Sequence, residues 1–335
     1  MRWLFLPLIA AKPWNGNTVM SEPLGGSEAA VAYLAQAIQR RGHQVVVHTH
    51  GIPGKDVAGV EYRPSTQDGY AASLGENWDA VVSSRWPDVL QWPWKTDKRA
   101  IWLHDLPQPN MDIGFKAHLV VMISEFQLGA YNLEFRDGSK SRAVIIGDGV
   151  EQSLVNNIAK QERNENILLW VSNPDRGLAL AAHIFNKHIH PRWPELEFHI
   201  YGRHQVYGWD KSQEEPFMPR RNEMDNIFLH DSLARPSLFK AISRAWAIFY
   251  PTFWPETFCM ATLEAQALGT PVIAPPFAAL NETVKGGVLS YDFLNAISQL
   301  RNPQRWKKLS LAGVQFAQEC TWDKRAEQWE VEVLK

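Results

Sequence analysis

"GGSEAAVAYLAQAIQRRGHQVVVHTH", residues 25–50, joins a helix-length run to a short apolar one. Val31, Leu34, Ala35 and Ile38 recur at helical spacing, which predicts a helix from Ser27 to Arg41. Arg40 and Arg41 sit in its last turn, where cations suit the helix dipole, and Gly42 then stops it. "QVVVHTH" reads as the following strand. Ahead of the helix lies "RWLFLPLIA", residues 2–10, a continuous apolar run of the kind a strand covered on both faces requires. Strand, helix, strand in this order is a βαβ unit, and a parallel sheet follows from it.

The pattern repeats along the chain. "WDAVVSSR", "RAIWLHD" and "HLVVMIS" predict further strands, and "EFQLGAYNLE" a helix. "RAVIIGDGV" predicts the strand that closes the first half, running into Gly147 and Gly149. After the polar stretch "AKQERNEN" a second series begins with the strand "ILLWVSN" and the helix "GLALAAHIFNKHI". "LEFHIYG", "IFLHDS" and "WAIFYP" predict strands, "ETFCMATLEAQALG" and "TPVIAPP" a helix–strand pair, and "DKRAEQWEVEVLK" an amphipathic last helix. The expected fold class is therefore α/β, with two doubly wound Rossmann-like halves and a break near residues 150–165. The expected domains are 1–150, 151–310, and a C-terminal helix, 311–335, packing back toward the first. Such sheets bind ligands at the carboxyl ends of their strands, so a cleft between facing halves is the expected site.

Composition narrows the function classes. A net charge of −2 over 335 residues offers no bulk attraction to DNA or to anionic lipid. Two cysteines, Cys259 and Cys320, make neither a disulfide framework nor a zinc spacing, so a reducing cytoplasm is expected. The opening "MRWLFLPLIAAK" falls far short of the ~20 apolar residues a membrane span needs. Trp86, Trp92 and Trp94 crowd one stretch; packing a Pro-rich loop is the simpler expectation, and stacking on sugar rings the alternative.

Two acids stand out in "PTFWPETFCMATLEAQALGTPVIAPP", residues 251–276. A helix is expected from about Thr257, with Met260, Leu263, Ala267 and Leu268 as its apolar stripe. Glu264 falls inside that stripe. An ionised carboxylate there needs an internal Arg or Lys, or the hydroxyls of a ligand at the edge of the core. Glu256 precedes the helix, where unpaired backbone N–H groups attract anions. On one straight helix, residues eight apart lie about 12 Å apart. That suits a ligand with hydroxyls at both ends and negative charge between them.

"PETFCMATLEAQALGTPVIA" resembles the E-x7-E segment of retaining glycosyltransferases of the GT-B fold, family 4. Residues 25–49 resemble that family's glycine loop and first helix, and "IWLHDL" its strand ending in a histidine. "WVSNPDRGLALAAHIF" resembles the start of its second domain and "LEFHIYG" the strand after it. The segments occur in family order over most of the chain. The resemblance implies transfer of a sugar, a hexose foremost, from a UDP- or GDP-sugar to a saccharide or glycoconjugate, with retention of anomeric configuration. It implies that Glu264 holds the donor ribose and that Glu256 contacts hydroxyls of the transferred sugar. Thr257 adjoins Phe258, Cys259 and Met260, whose backbone N–H groups would face the diphosphate. Cys259 stands where the family often has Gly. Arg176, in "NPDRG", would stabilise charge on the departing diphosphate. The family commonly has a second basic residue a few positions earlier, where this chain has Ser172 and Asn173; Arg203, in "YGRHQ", is the expected substitute. Gly25 and Gly26 precede a helix start expected near the same phosphates, and His104 would position sugar and acceptor. Arg176, His104 and Glu256 are the expected catalytic residues.

No Asp-x-Asp pair occurs in the chain, so neither metal nor cofactor is expected. Transfer to modified DNA bases is an alternative, disfavoured by the charge balance; "KSR" at 140–142 and "PRR" at 219–221 are its local hints. A non-catalytic nucleotide-sugar or glycan binder and a nucleotide-sugar epimerase are further alternatives. The expected location is cytoplasmic, compatible with peripheral contact at the inner membrane face.

Overall fold

The computed structural model describes residues 1–108, 117–131, 141–158, 161–202, 208 and 211–335. The chain forms two units, Met1–Gly149 with Trp322–Lys335, and Val150–Thr321.

The first unit is built on eight strands: β1 (Arg2–Pro7), β2 (Gln44–Thr49), β3 (Gly54–Lys55), β4 (Glu61–Pro64), β5 (Ala80–Ser84), β6 (Arg99–Trp102), β7 (Leu119–Met122) and β8 (Arg142–Ile145). Their order is β3-β4-β2-β1-β5-β6-β7-β8. Every pairing is parallel except β3 with β4. Central strands such as β5 are buried throughout, which is why their sequences are continuous apolar runs. The helix Gly26–Arg40 is buried without interruption from Ala29 to Ile38. One side packs on the sheet and another receives the helix Trp322–Leu334, whose Trp322, Ala326, Trp329 and Val333 are buried. Gln36 tolerates this burial because its Nε2 donates to Asp56 at 2.9 Å and to the Gly16 carbonyl at 3.2 Å.

The second unit carries β9 (Asn164–Trp170), β10 (Glu197–Tyr201), β11 (Ile227–His230), β12 (Ala245–Phe249), β13 (Val272–Ala274) and β14 (Gly287–Leu289). All pair in parallel, in the order β11-β10-β9-β12-β13-β14. Strand order reverses between β9 and β12 here, and between β1 and β5 in the first unit. Loops leaving the carboxyl ends of such neighbouring strands diverge and leave a crevice, the usual ligand position in open parallel sheets.

Three expectations change. The helix expected from Thr257 begins at Met260, because Cys259 adopts φ 75°, ψ 77°, a left-handed conformation that no helix continues through. Glu256 therefore lies before the helix, and the straight-helix separation of the two acids does not apply. The domain edge expected at 310/311 falls inside the helix Pro303–Glu319, which packs on the helix Met260–Ala267 of the second unit; the chain rejoins the first unit at Trp322. Finally, the strand expected through Ala10 stops at Pro7, and Leu8 and Ile9 are exposed. Trp86, Trp92 and Trp94 do pack their loop: Trp92 stacks on Trp94 at 5.9 Å, and Trp94 Nε1 donates to the Val89 carbonyl at 2.7 Å.

Candidate active site

In the second unit, the loops after β9 and β12 flank the reversal point and bring Ser172, Arg176 and Glu256 together. The turn Pro174–Arg176 ends at Gly177, whose φ of 114° demands glycine. Arg176 Nη1 lies 3.8 Å from Glu256 Oε1, and its Nε lies 3.6 Å from Asp175 Oδ1. The guanidinium carbon sits 4.0 Å from the centroid of the Trp254 ring. Tyr250, the residue after β12, donates its hydroxyl to Glu256 Oε1 at 2.5 Å. Ser172 Oγ lies 3.1 Å from the Tyr250 hydroxyl oxygen; since that hydroxyl donates to Glu256, Ser172 is the donor to it. Ser172 thus orders Tyr250 and, through it, Glu256. Sequence reasoning missed Tyr250 and Trp254; the one signal for them is an aromatic at or just past a strand end in "AIFYPTFWPE".

Burial raises the Glu256 pKa above the usual carboxylate range, opposed by the Arg176 charge and the Tyr250 hydrogen bond. Burial also raises the Tyr250 phenol and the Cys259 thiol, so both stay neutral at physiological pH. The left-handed backbone of Cys259 explains why glycine would suit this position, since side chains rarely adopt φ near +75°. Phe258 and Met260 flank it and are buried. No cap side chain bonds the first N–H groups of the helix Met260–Ala267. Thr257 lies in the same turn, between Glu256 and Phe258.

Glu264 lies inside that helix and is buried, as the stripe implied. Its Oε1 accepts a hydrogen bond from Arg235 Nη1 at 3.0 Å, so an internal arginine supplies the charge partner. Arg235, itself buried, is the first residue of the helix Arg235–Arg244. Desolvation raises the Glu264 pKa and Arg235 opposes it. Among the described residues no donor reaches Oε2, which leaves one carboxylate oxygen for a ligand hydroxyl. Arg203 lies outside the described residues.

The first unit presents a separate set. Gly25 caps the helix Gly26–Arg40 with no side-chain bond, and Ser27 follows in its first turn. Arg85, just after β5, has φ 67° and donates through Nη1 to Ser27 Oγ at 3.1 Å. The same guanidinium pairs with Asp105 at 2.6 and 3.3 Å. Arg85 thereby ties the start of that helix, at the β1/β5 reversal, to the residue after His104. His104 follows β6 and packs on Trp102, ring centroids 4.4 Å apart. Desolvation, and then the Arg85 charge, push its pKa down to about 3, so it is a neutral imidazole near neutral pH.

Among the described residues, no group of three or more His, Cys, Asp or Glu could hold a metal ion, and no helix is long and apolar enough to cross a membrane. Residues 164–304 match the family model described as glycosyl transferases group 1. Sucrose-phosphate synthase from Thermosynechococcus elongatus superposes with a TM-score of 0.72 at 17% identity, covering 99% of this chain and 98% of that one. HepE of Anabaena, solved in complex with UDP and glucose, gives a TM-score of 0.71 at 15% identity, covering 100% and 99%. AviGT4, a glycosyltransferase involved in avilamycin A biosynthesis, gives 0.68 at 15%, covering 99% and 97%. The fold is that of the GT-B glycosyltransferases. No curated protein sequence matches the chain significantly. The matched family segment contains Ser172, Arg176, Tyr250, Trp254, Glu256 and Glu264.

Proposed function

We propose that this chain is a retaining, metal-independent hexosyltransferase of family 4, using a UDP- or GDP-sugar and a saccharide or glycoconjugate acceptor. The observation that carries the reading is the Arg176–Glu256 group, standing before a helix start with no capping side chain. When the glycosyl–oxygen bond breaks, its electron pair passes to the diphosphate, and charge accumulates on phosphate oxygens. Arg176 offers a planar fork of donors to those oxygens, and the N–H groups of Phe258, Cys259 and Met260 add dipoles of the same sign. Glu256, held by Tyr250, accepts from hydroxyls of the transferred sugar. Glu264 offers its free oxygen to a ribose hydroxyl while Arg235 balances its charge. Neutral His104 accepts or donates one hydrogen bond to sugar or acceptor, a positioning role and not a nucleophilic one. HepE is a neighbour solved with UDP-glucose, which supports a nucleotide-sugar donor for this chain. A cytoplasmic location with peripheral contact at the inner membrane face belongs to the same reading.

The test is a panel of UDP- and GDP-sugars, read by thermal shift and by sugar release, with wild type and Arg176→Ala. Wild type is expected to bind one donor class and release sugar, and Arg176→Ala to slow release by about 10²–10³-fold, the usual loss for one transition-state donor. Equal turnover by both would remove Arg176 from the mechanism. Binding without turnover, with every acceptor class supplied, would favour a non-catalytic binder.

A further inference from the structure

We propose that Trp254, fastened by Thr252, is the positioning residue that orients the Arg176 guanidinium for a departing diphosphate; this rests on the transferase reading above. The Arg176 guanidinium carbon lies 4.0 Å from the Trp254 ring centroid, within the range of a strong cation–π contact. Its two carboxylate neighbours, Asp175 at 3.6 Å and Glu256 at 3.8 Å, are too distant for the bidentate pairing that would consume the donor fork. Among the described residues no acceptor takes a guanidinium hydrogen of Arg176 at hydrogen-bond distance. The contact with the ring therefore restrains the cation and leaves its N–H groups available.

Thr252 locks both halves of this stack. Its hydroxyl donates to the Arg176 carbonyl at 2.6 Å, and its Oγ1 accepts from the Trp254 N–H at 3.0 Å. One buried side chain thus joins the turn after β9 to the loop after β12. The Trp254 carbonyl in turn accepts from the Glu256 N–H at 2.9 Å, which ties the backbones of the two residues together. Phe253 lies against the turn after β9: a Cβ at Gly177 would lie 3.2 Å from its ring. Trp254 itself stays 38% exposed, more than an indole that served only the core would be. The device has a reason. Ser172, committed to Tyr250, offers Arg176 no companion charge, so the orientation of this guanidinium rests on its other described neighbours.

The experiment compares wild type with Trp254→Ala, Trp254→Leu, Trp254→Phe and Thr252→Val. Calorimetry with UDP, GDP and inorganic pyrophosphate measures binding, and sugar release gives kcat and KM. Trp254→Ala and Trp254→Leu are expected to lose about tenfold in kcat, the loss of one partly desolvated cation–π contact, with smaller changes in KM. Trp254→Phe, which keeps a π face, is expected to restore kcat to within about threefold of wild type. Thr252→Val should fall between them. If Trp254→Leu matches Trp254→Phe, packing and not the π face is what matters, and the proposal fails. Unchanged kcat in a folded Trp254→Ala also overturns it, and should that variant not fold, the leucine and phenylalanine pair still decides. A wild type that neither binds a nucleoside diphosphate nor releases sugar overturns the transferase reading itself, whereas activity that responds to Arg176→Ala but not to Trp254 overturns this inference alone.

Discussion

Glu264 shows how a single buried charge can serve two ends. Its stripe position could be inferred from spacing, but the identity of its partner could not, because Arg235 lies on a different helix, 29 residues earlier. Removing one member of a buried pair leaves the other uncompensated, at a cost of roughly 3–5 kcal/mol. Glu264→Gln is therefore expected to lower unfolding free energy in urea by about 3 kcal/mol, because glutamine keeps the shape but not the charge. An unchanged urea midpoint would mean that Arg235 finds compensation in water. In the proposed reading the same variant also weakens donor binding, and Arg235→Met separates the two effects: it costs stability without removing the ribose acceptor. Cys259 is legible in a different way. The motif marked its position, yet its left-handed backbone appeared only once the helix start was located at Met260.

At the scale of elements, the site depends on how closely the turns after β9 and β10 approach. A Cβ placed on Gly202, just past β10, would lie 1.9 Å from the Ser172 carbonyl oxygen, against backbone that cannot yield cheaply. Ser172 is also the donor that orders Tyr250. Gly202→Ala is expected to destabilise the protein by about 1–3 kcal/mol, the usual range for forced overpacking, with a parallel loss of donor affinity. Thermal unfolding and donor titration check both; a variant with wild-type melting would show that the two turns can separate freely. Most of the strands could be read from apolar runs because parallel strands are covered on both faces. The antiparallel β3–β4 pair and β14 could not, since strands of two to four residues carry too little periodicity to register.

For the whole molecule, the chain's return to its first unit is the feature with the largest energetic consequence. Trp329 is fully buried, its ring 5.4 Å from that of Trp102, and Trp322 stacks on Tyr33 at 6.3 Å. Trp329→Ala is expected to cost about 3–5 kcal/mol, borne by the first unit. Hydrogen exchange checks this: amides of the helix Gly26–Arg40 should lose protection while those of β9 to β14 keep theirs, and uniform loss would refute it. The sequence by itself determined the α/β class and the two Rossmann-like halves built on mostly parallel strands. Local periodicity and glycine placement suffice for these, because they depend on neighbours a few residues apart. Only the tertiary structure decided that Arg235 neutralises Glu264 and that Tyr250 and Trp254 contact the acid and the cation. Each of these joins residues that are distant in sequence or face each other across separate loops, and no periodicity along one segment encodes which partner another segment will present.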